Sequence, residues 1–285
     1  MIRWVAAGIA AAVVFLAGCA KAPAKPYGGE LPDLVYGRVI SLSPNVTELI
    51  TLVNADHKLV GRTSRCDYPD TPSLRATPIV ANPNPDMDKI IRLQPDLIIV
   101  DQNMVNPSYL EQFKRANIEV LVLKINSVKD WIAAVETIGN KLLMQKQASD
   151  VVDEAKTAMH LGETDPIVPK PKVLIAMDAE RPMAAGLQSY QADVVRVAGG
   201  EPVGPDADKF VPISPEQIVQ WNPDAIIVPG MPDRYLHSPA FAATKAAKNG
   251  AVIGVNENHL LRAGAKLKDL IRAVHQELMR TSHTP

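Results

Sequence analysis

Two stretches of the chain carry the same order of acidic, apolar and proline positions. Asp88-Lys89-Ile90-Ile91-Arg92-Leu93-Gln94-Pro95-Asp96-Leu97-Ile98-Ile99-Val100 is matched without a gap by Glu216-Gln217-Ile218-Val219-Gln220-Trp221-Asn222-Pro223-Asp224-Ala225-Ile226-Ile227-Val228. In each, the first half places apolar residues at helical spacing and ends near a proline, which disfavours helix in the residue before it. The second half is a short β-branched run, the pattern of a strand buried on both faces. A helix, a Pro-Asp turn and a parallel-type strand are therefore predicted twice, and with them two similar lobes.

The same alternation continues around each copy. Arg38 to Leu42 and Glu119 to Ile125 read as strands and Val46 to Val53 as a helix. In the second half Lys172 to Ala176 and Ala251 to Val255 read as strands, Tyr190 to Ala198 as a helix stopped by Gly199-Gly200, and about Ala265 to Met279 as a closing helix. Strand–helix alternation predicts parallel sheets with helices on both faces, and ligands at the carboxyl ends of the strands. Ser127 to Leu161 has helical composition and few breakers. A stretch such as Gln145 to Leu161 would span about 25 Å. The expected fold is α/β: two Rossmann-like lobes with mostly parallel sheets, joined by one long rigid helix.

The amino terminus adds an address. Arg3 is followed by an uncharged apolar run, Val5 to Ala17, and then by Leu16-Ala17-Gly18-Cys19. The run is short for a membrane span and suits a secretory signal. Leu-Ala-Gly-Cys resembles the lipobox of bacterial lipoproteins, which implies diacylation of Cys19 and anchorage at the cell envelope, facing the periplasm or exterior. The alternative is an uncleaved anchor helix with Cys19 incidental. Ala20 to Gly37, rich in Pro, Gly, Ala and Lys, reads as a tether. The expected organisation is signal peptide 1–18, tether 19–37, first lobe 38–126, helical spine 127–170 and second lobe 171–285. With Cys19 modified, Cys66 has no cysteine to pair with.

Composition changes this picture little. The 285 residues are 47% hydrophobic with a formal charge of −1, ordinary for a globular chain and without the basic excess that nucleic acid would require. No Gly-x-Ser-x-Gly, Walker or His-Glu-x-x-His motif occurs, so no enzyme is expected. The six histidines are scattered, which argues against a free-zinc or manganese binder.

Arg38-Val-Ile-Ser-Leu-Ser-Pro-Asn-Val-Thr-Glu-Leu49, Val60-Gly61, Cys66-Asp67-Tyr68-Pro69, the two Pro-Asp repeats and Ala198-Gly199-Gly200, taken in order, resemble the single-helix-backbone substrate-binding proteins of ABC importers. That family serves vitamin B12, ferric siderophores and haem. The resemblance runs over Arg38 to Leu278 and is greatest to the B12 binders. It implies a monomeric receptor with no resident cofactor, carrying cobalamin or another corrinoid, or alternatively haem or a ferric siderophore, to a permease dimer. It also implies one permease-contacting acid per lobe, at Asp88 (where the family usually has Glu) and Glu216. Both acids also fall near predicted helix starts, after Asp86 and Ser214, where a negative charge stabilises the helix in any protein.

Ligand contacts are expected from loops after the strands: Asn45, Arg65, Tyr68 and Asn82 in the first lobe, Ser189, Tyr190, Phe210, His259 and Arg262 in the second. Phe210 falls where B12 binders place an aromatic against the corrin. Asn82 and His259 fall where further aromatics are usual, and Arg65 replaces a tyrosine-like position. His259 is either an axial metal ligand or an ordinary loop histidine, and Tyr190 with His259 keeps a haem site open. Arg65 and Arg262 either clamp the ligand periphery or pair with Asp67 and other acids. Asp67-Tyr68-Pro69 reads mainly as a turn at the rim, and Cys66 as a packed thiol.

Overall fold

The computed structural model of the protein describes residues 36–282. The expected signal segment 1–18, Cys19 and the expected tether as far as residue 35 lie outside the described residues. Five parallel strands form the first sheet: β1 (Val39–Ser41), β2 (Leu59–Thr63), β3 (Ile79–Ala81), β4 (Leu97–Asp101) and β5 (Glu119–Leu123), in the order β3-β2-β1-β4-β5. The apolar runs of β1 and β4 are buried throughout, as expected of strands covered by helices on both sides.

The second sheet contains β6 (Lys172–Met177), β7 (Met183–Ala185), β8 (Glu201–Val203), β9 (Phe210–Pro212), β10 (Ala225–Pro229) and β11 (Val252–Val255). β11, β10, β6 and β8 run parallel, whereas β7 pairs antiparallel with β6 and β9 antiparallel with β7. Phe210 to Pro212, expected as a loop, is thus a strand. It is only three residues long and carries a proline, so it leaves no period-two signal.

The duplicated segment takes the same place in both sheets. β4 lies between β1 and β5, and β10 between β6 and β11. The Pro-Asp turn explains part of the repetition. The Asp96 carboxylate accepts the Gly37 and Arg38 N–H groups at 2.8 and 3.0 Å, and Asp224 accepts the Lys172 N–H at 2.8 Å. Each aspartate therefore satisfies an otherwise open donor where the neighbouring strand begins and fixes its register to the central strand.

Between the lobes the chain forms a helix at Val128–Lys141, a short break, and a helix at Gln145–Met159. The latter, 15 residues long, spans about 22 Å at 1.5 Å per residue and is the connecting helix. The break falls where Leu143 adopts φ 58°. Gly139 lets the two helices meet, since a Cβ there would collide with Ala148 and stand 3.2 Å from the Met144 carbonyl. The helix Leu267–Ser282 packs on the connecting helix, with Lys268 Nζ 2.5 Å from Glu154.

The lobes share packing. One cluster of buried side chains runs from Val46 and Leu49 through Trp131 and Ile138 to Val194, Leu270 and Val274. The Asp193 carboxylate of the second lobe accepts the Val128 N–H at 2.8 Å, at the start of the helix leaving the first lobe. Trp131, 2% exposed, donates its indole N–H to the Gly264 carbonyl at 2.8 Å. These contacts hold both lobes against the same helical frame.

Candidate functional site

In the first lobe the connections from β1 and β4 leave their adjacent strands toward opposite faces of the sheet. This is the topological switch point at which open α/β sheets bind ligands. A cavity of about 380 Å³ lies there, walled on its far side by the second lobe. The first lobe contributes Asn45, Arg65, Asp101, Asn103 and Met104; the second contributes Tyr190, Gln191, Asp208, Lys209, Phe210, Glu257, Asn258 and Arg262. A second hollow, about 530 Å³, lies around Lys170, Asp224 and Lys248 at the amino ends of β6 and β10. It is the wrong end of the sheet for a ligand site, despite its size.

The floor on the first-lobe side is tightly bonded. Asn45 Nδ2 donates to Asp101 Oδ2 at 2.6 Å, the Ser43 hydroxyl accepts the Asp101 N–H at 2.9 Å, and Asp101 Oδ1 accepts the Asn103 N–H at 2.8 Å. Burial pushes the Asp101 carboxyl up, and the donors from Asn103 and Asn45 pull against that. Asn45 is thereby fixed in orientation at the cavity edge. Arg65, exposed at the mouth, has no side-chain partner among the described residues.

Arg262 joins the lobes. Its guanidinium stands 2.9 Å from Asp67 and 3.4 Å from Glu48, both in the first lobe. Glu48 is 3% exposed and also accepts the Ala265 N–H at 3.0 Å. Burial raises the Glu48 carboxyl above its ordinary value, against the lowering effect of the Ala265 N–H and of Arg262. Arg262 thus pairs with acids, as one of its two readings had it, and it also lines the cavity.

Tyr190 begins the helix Tyr190–Val197, and Ser189 caps that helix by accepting the Ala192 N–H at 3.2 Å. Ser189 is buried and does not line the cavity; it positions Tyr190. The Tyr190 hydroxyl is buried with no hydrogen-bond partner among the described residues. Burial, with Glu48 and Asp193 adding to it, drives the phenol pKa far up, so Tyr190 is a neutral donor.

Of the expected ligand contacts, Asn45, Arg65, Tyr190, Phe210 and Arg262 converge on the cavity. Tyr68, Asn82 and His259 do not. Tyr68 is half-buried near the Lys266 ammonium, and Asn82, exposed, accepts the Ser64 hydroxyl at 2.9 Å. His259 faces a separate hollow with Asn256, Asp269 and Gln276, where burial and then Lys266 depress its pKa. The reason is local. Glu257–Leu261 is a helix, capped by Asn256, rather than the expected loop, and its turn sends Asn258, Leu261 and Arg262 to the cavity but His259 away. Asp208, Lys209, Gln191 and Glu257 were not singled out by sequence, although each lies within two residues of Phe210, Tyr190 or His259. Cys66 is a buried free thiol, 2.9 Å from the Thr47 hydroxyl and 3.1 Å from that of Thr63.

Two α/β lobes on a helical connector, with a polar cavity between their strand ends, define a binding fold. Comparison with known sequences agrees. The periplasmic binding protein family profile matches residues 39–258, and the chain belongs to that family. A vitamin B12-binding protein of Pectobacterium carotovorum is 27% identical over 236 residues, covering 81% of this chain and 84% of that protein. An ABC transporter substrate-binding lipoprotein of Bacillus subtilis, itself uncharacterised, is 24% identical over 240 residues, covering 81% and 76%. Among solved structures, the periplasmic vitamin B12-binding protein of Vibrio cholerae superposes with a TM-score of 0.75 at 20% identity, over 87% of this chain and 98% of that one. The periplasmic haem-binding protein of Roseiflexus sp. RS-1 superposes at 0.74 and 22%, over 87% and 100%. These likenesses establish the two-lobed α/β fold with its connecting helix.

Proposed function

We propose that the protein is the substrate-binding lipoprotein of an ABC importer, held at the cell envelope through Cys19, which captures a corrinoid between its lobes and presents it to a permease dimer through Asp88 and Glu216. The charge balance of the cavity carries the choice of ligand. Arg65, Lys209 and Arg262 are offset by Asp101, Asp208 and Glu257, and the remaining polar lining is largely amide, with Asn45, Asn103, Asn126, Gln191 and Asn258. Such a lining suits a large ligand with a rim of neutral amides, because it offers paired donors and acceptors without a net field. Phe210 supplies one apolar face for a flat macrocycle.

A ferric siderophore or haem is the second reading, favoured by the free Arg65 guanidinium and by the haem-binding protein among the structural neighbours. Haem requires an axial ligand, and His259 points elsewhere while burial and nearby acids hold Tyr190 in its protonated form. Binding needs no covalent chemistry in either case.

Calorimetric titration of the protein with cyanocobalamin, haemin and a ferric hydroxamate separates the readings. Cyanocobalamin is expected to bind one-to-one at micromolar affinity or better. Binding of haemin alone would reject the corrinoid. Replacing Asp88 and Glu216 together with Ala is expected to spare that affinity and slow uptake; unchanged uptake would remove the docking assignment.

A further inference from the structure

The duplicated segment repeats more than an acid. Asp86 accepts the Lys89 N–H and Ser214 accepts the Gln217 N–H, so the two helices Met87–Arg92 and Pro215–Trp221 begin alike. Ile90 and Ile218 are fully buried at 0%, whereas the next residues, Ile91 and Val219, are 50% and 48% exposed. Each exposed aliphatic lies three residues after an exposed acid, Asp88 or Glu216, and residues at that spacing are neighbours on a helix surface. One exposed aliphatic needs no explanation. The same one beside the same acid in both lobes does, because about half of each apolar side chain is left facing solvent in the same place.

The acids are available for an outside partner. Neither carboxylate forms an ion pair among the described residues, and the Ser214 hydroxyl and a backbone N–H hold Glu216 below its ordinary pKa, hence ionised. We infer that Asp88 with Ile91, and Glu216 with Val219, are two copies of one contact unit. The permease that fits them has two equivalent subunits, each presenting a cation beside a shallow apolar surface. This rests on the reading of Asp88 and Glu216 as permease contacts. The division of labour follows from the chemistry. Exposed charges set encounter rate and registration, while an aliphatic that excludes water beside the ion pair slows separation.

The test uses the full-length protein in its own host, with a photoreactive benzophenone residue at position 91 or 219. Both positions are expected to give an adduct with one and the same polytopic membrane subunit, identified by mass spectrometry. Val122 and Val168, exposed elsewhere, should give none. Asp88→Ala with Glu216→Ala should cut the adduct yield severalfold. Ile91→Ser with Val219→Ser should raise the dissociation rate from the permease roughly tenfold, leaving its salt dependence and the melting temperature unchanged. If the double acid variant loses uptake while positions 91 and 219 give no permease adduct, the contact unit is wrong and the acidic contacts stand. If uptake is indifferent to both double variants and no adduct forms, the docking reading fails with it. Adducts with two unrelated subunits would overturn the two-fold partner.

Discussion

Gly264 faces Glu48 across the boundary between the lobes, and there is no space between them. A Cβ built on Gly264 would stand 2.6 Å from the Glu48 carboxyl carbon, so the Gly264→Ala variant must drive that carboxylate out. The backbone at 264 is not left-handed, so the objection to Ala is steric alone. Expulsion leaves the Ala265 N–H without its acceptor, a cost of about 1–3 kcal/mol for a buried donor. Arg262 keeps Asp67 at 2.9 Å, which limits further loss. The expected destabilisation is about 2 kcal/mol, or a fall in melting temperature of about 4–8 °C for a domain of this size. Glu48→Ala removes the same acceptor and should cost about the same. The double variant then carries one loss rather than two: about 2 kcal/mol where independent effects would give about 4 kcal/mol. It should even recover about 0.4–1 kcal/mol over Glu48→Ala, from the reduced freedom of Ala in the unfolded chain. Urea unfolding of the four proteins measures the cycle. Additive losses would refute the claim that Gly264 is there to seat the Glu48 carboxylate.

Three further outcomes follow from the same geometry. Because burial raises the native pKa of Glu48 above its ordinary 4.5, folding favours the protonated form, and this proton-linked part of the stability is full below about 4.5 and is lost as pH rises through the native value. Glu48→Gln should flatten that part of the melting-temperature profile, and an unchanged profile would contradict it. Tyr190→Phe deletes an unpartnered buried hydroxyl, so the ligand-free protein should melt at the same temperature or higher while affinity falls about tenfold; a lower melting temperature would reveal a partner for the hydroxyl within the protein. Phe210→Ala should weaken ligand binding about tenfold or more with little effect on stability, because the ring is only partly buried and lines the cavity.

The lobes were legible because their central strands are unbroken β-branched runs and because the chain states one of its motifs twice. β4 and β10 fell where the repeat put them, and even the Pro-Asp turn has a single hydrogen-bonding role in both lobes. The antiparallel pair β7 and β9 was not legible: each strand has three residues, one with a proline, and their partners are set by tertiary packing. His259 failed for a related reason. Whether residues 257–261 form a loop or a helical turn decides which way the imidazole points, and both are compatible with Asn256 as a cap or a turn residue. Glu48 was invisible because it reads as one more acid on an amphipathic helix. Its partners Arg262 and Ala265 lie more than 200 residues away, and only the docking of the lobes brings them together. Candidate contacts drawn from strand-end position and the family resemblance thus gave the cavity's Asn45, Arg65, Tyr190, Phe210 and Arg262, and missed the frame that holds Arg262.

The central claim is that a ligand sits between the lobes. Hydrogen–deuterium exchange with and without saturating cyanocobalamin measures it directly. Slowed exchange is expected at residues 101–104, 190–191, 208–210 and 257–262, on both walls of the cavity at once. Slowing confined to one lobe, or to the hollow around residues 169–171 and 245–251, would contradict it.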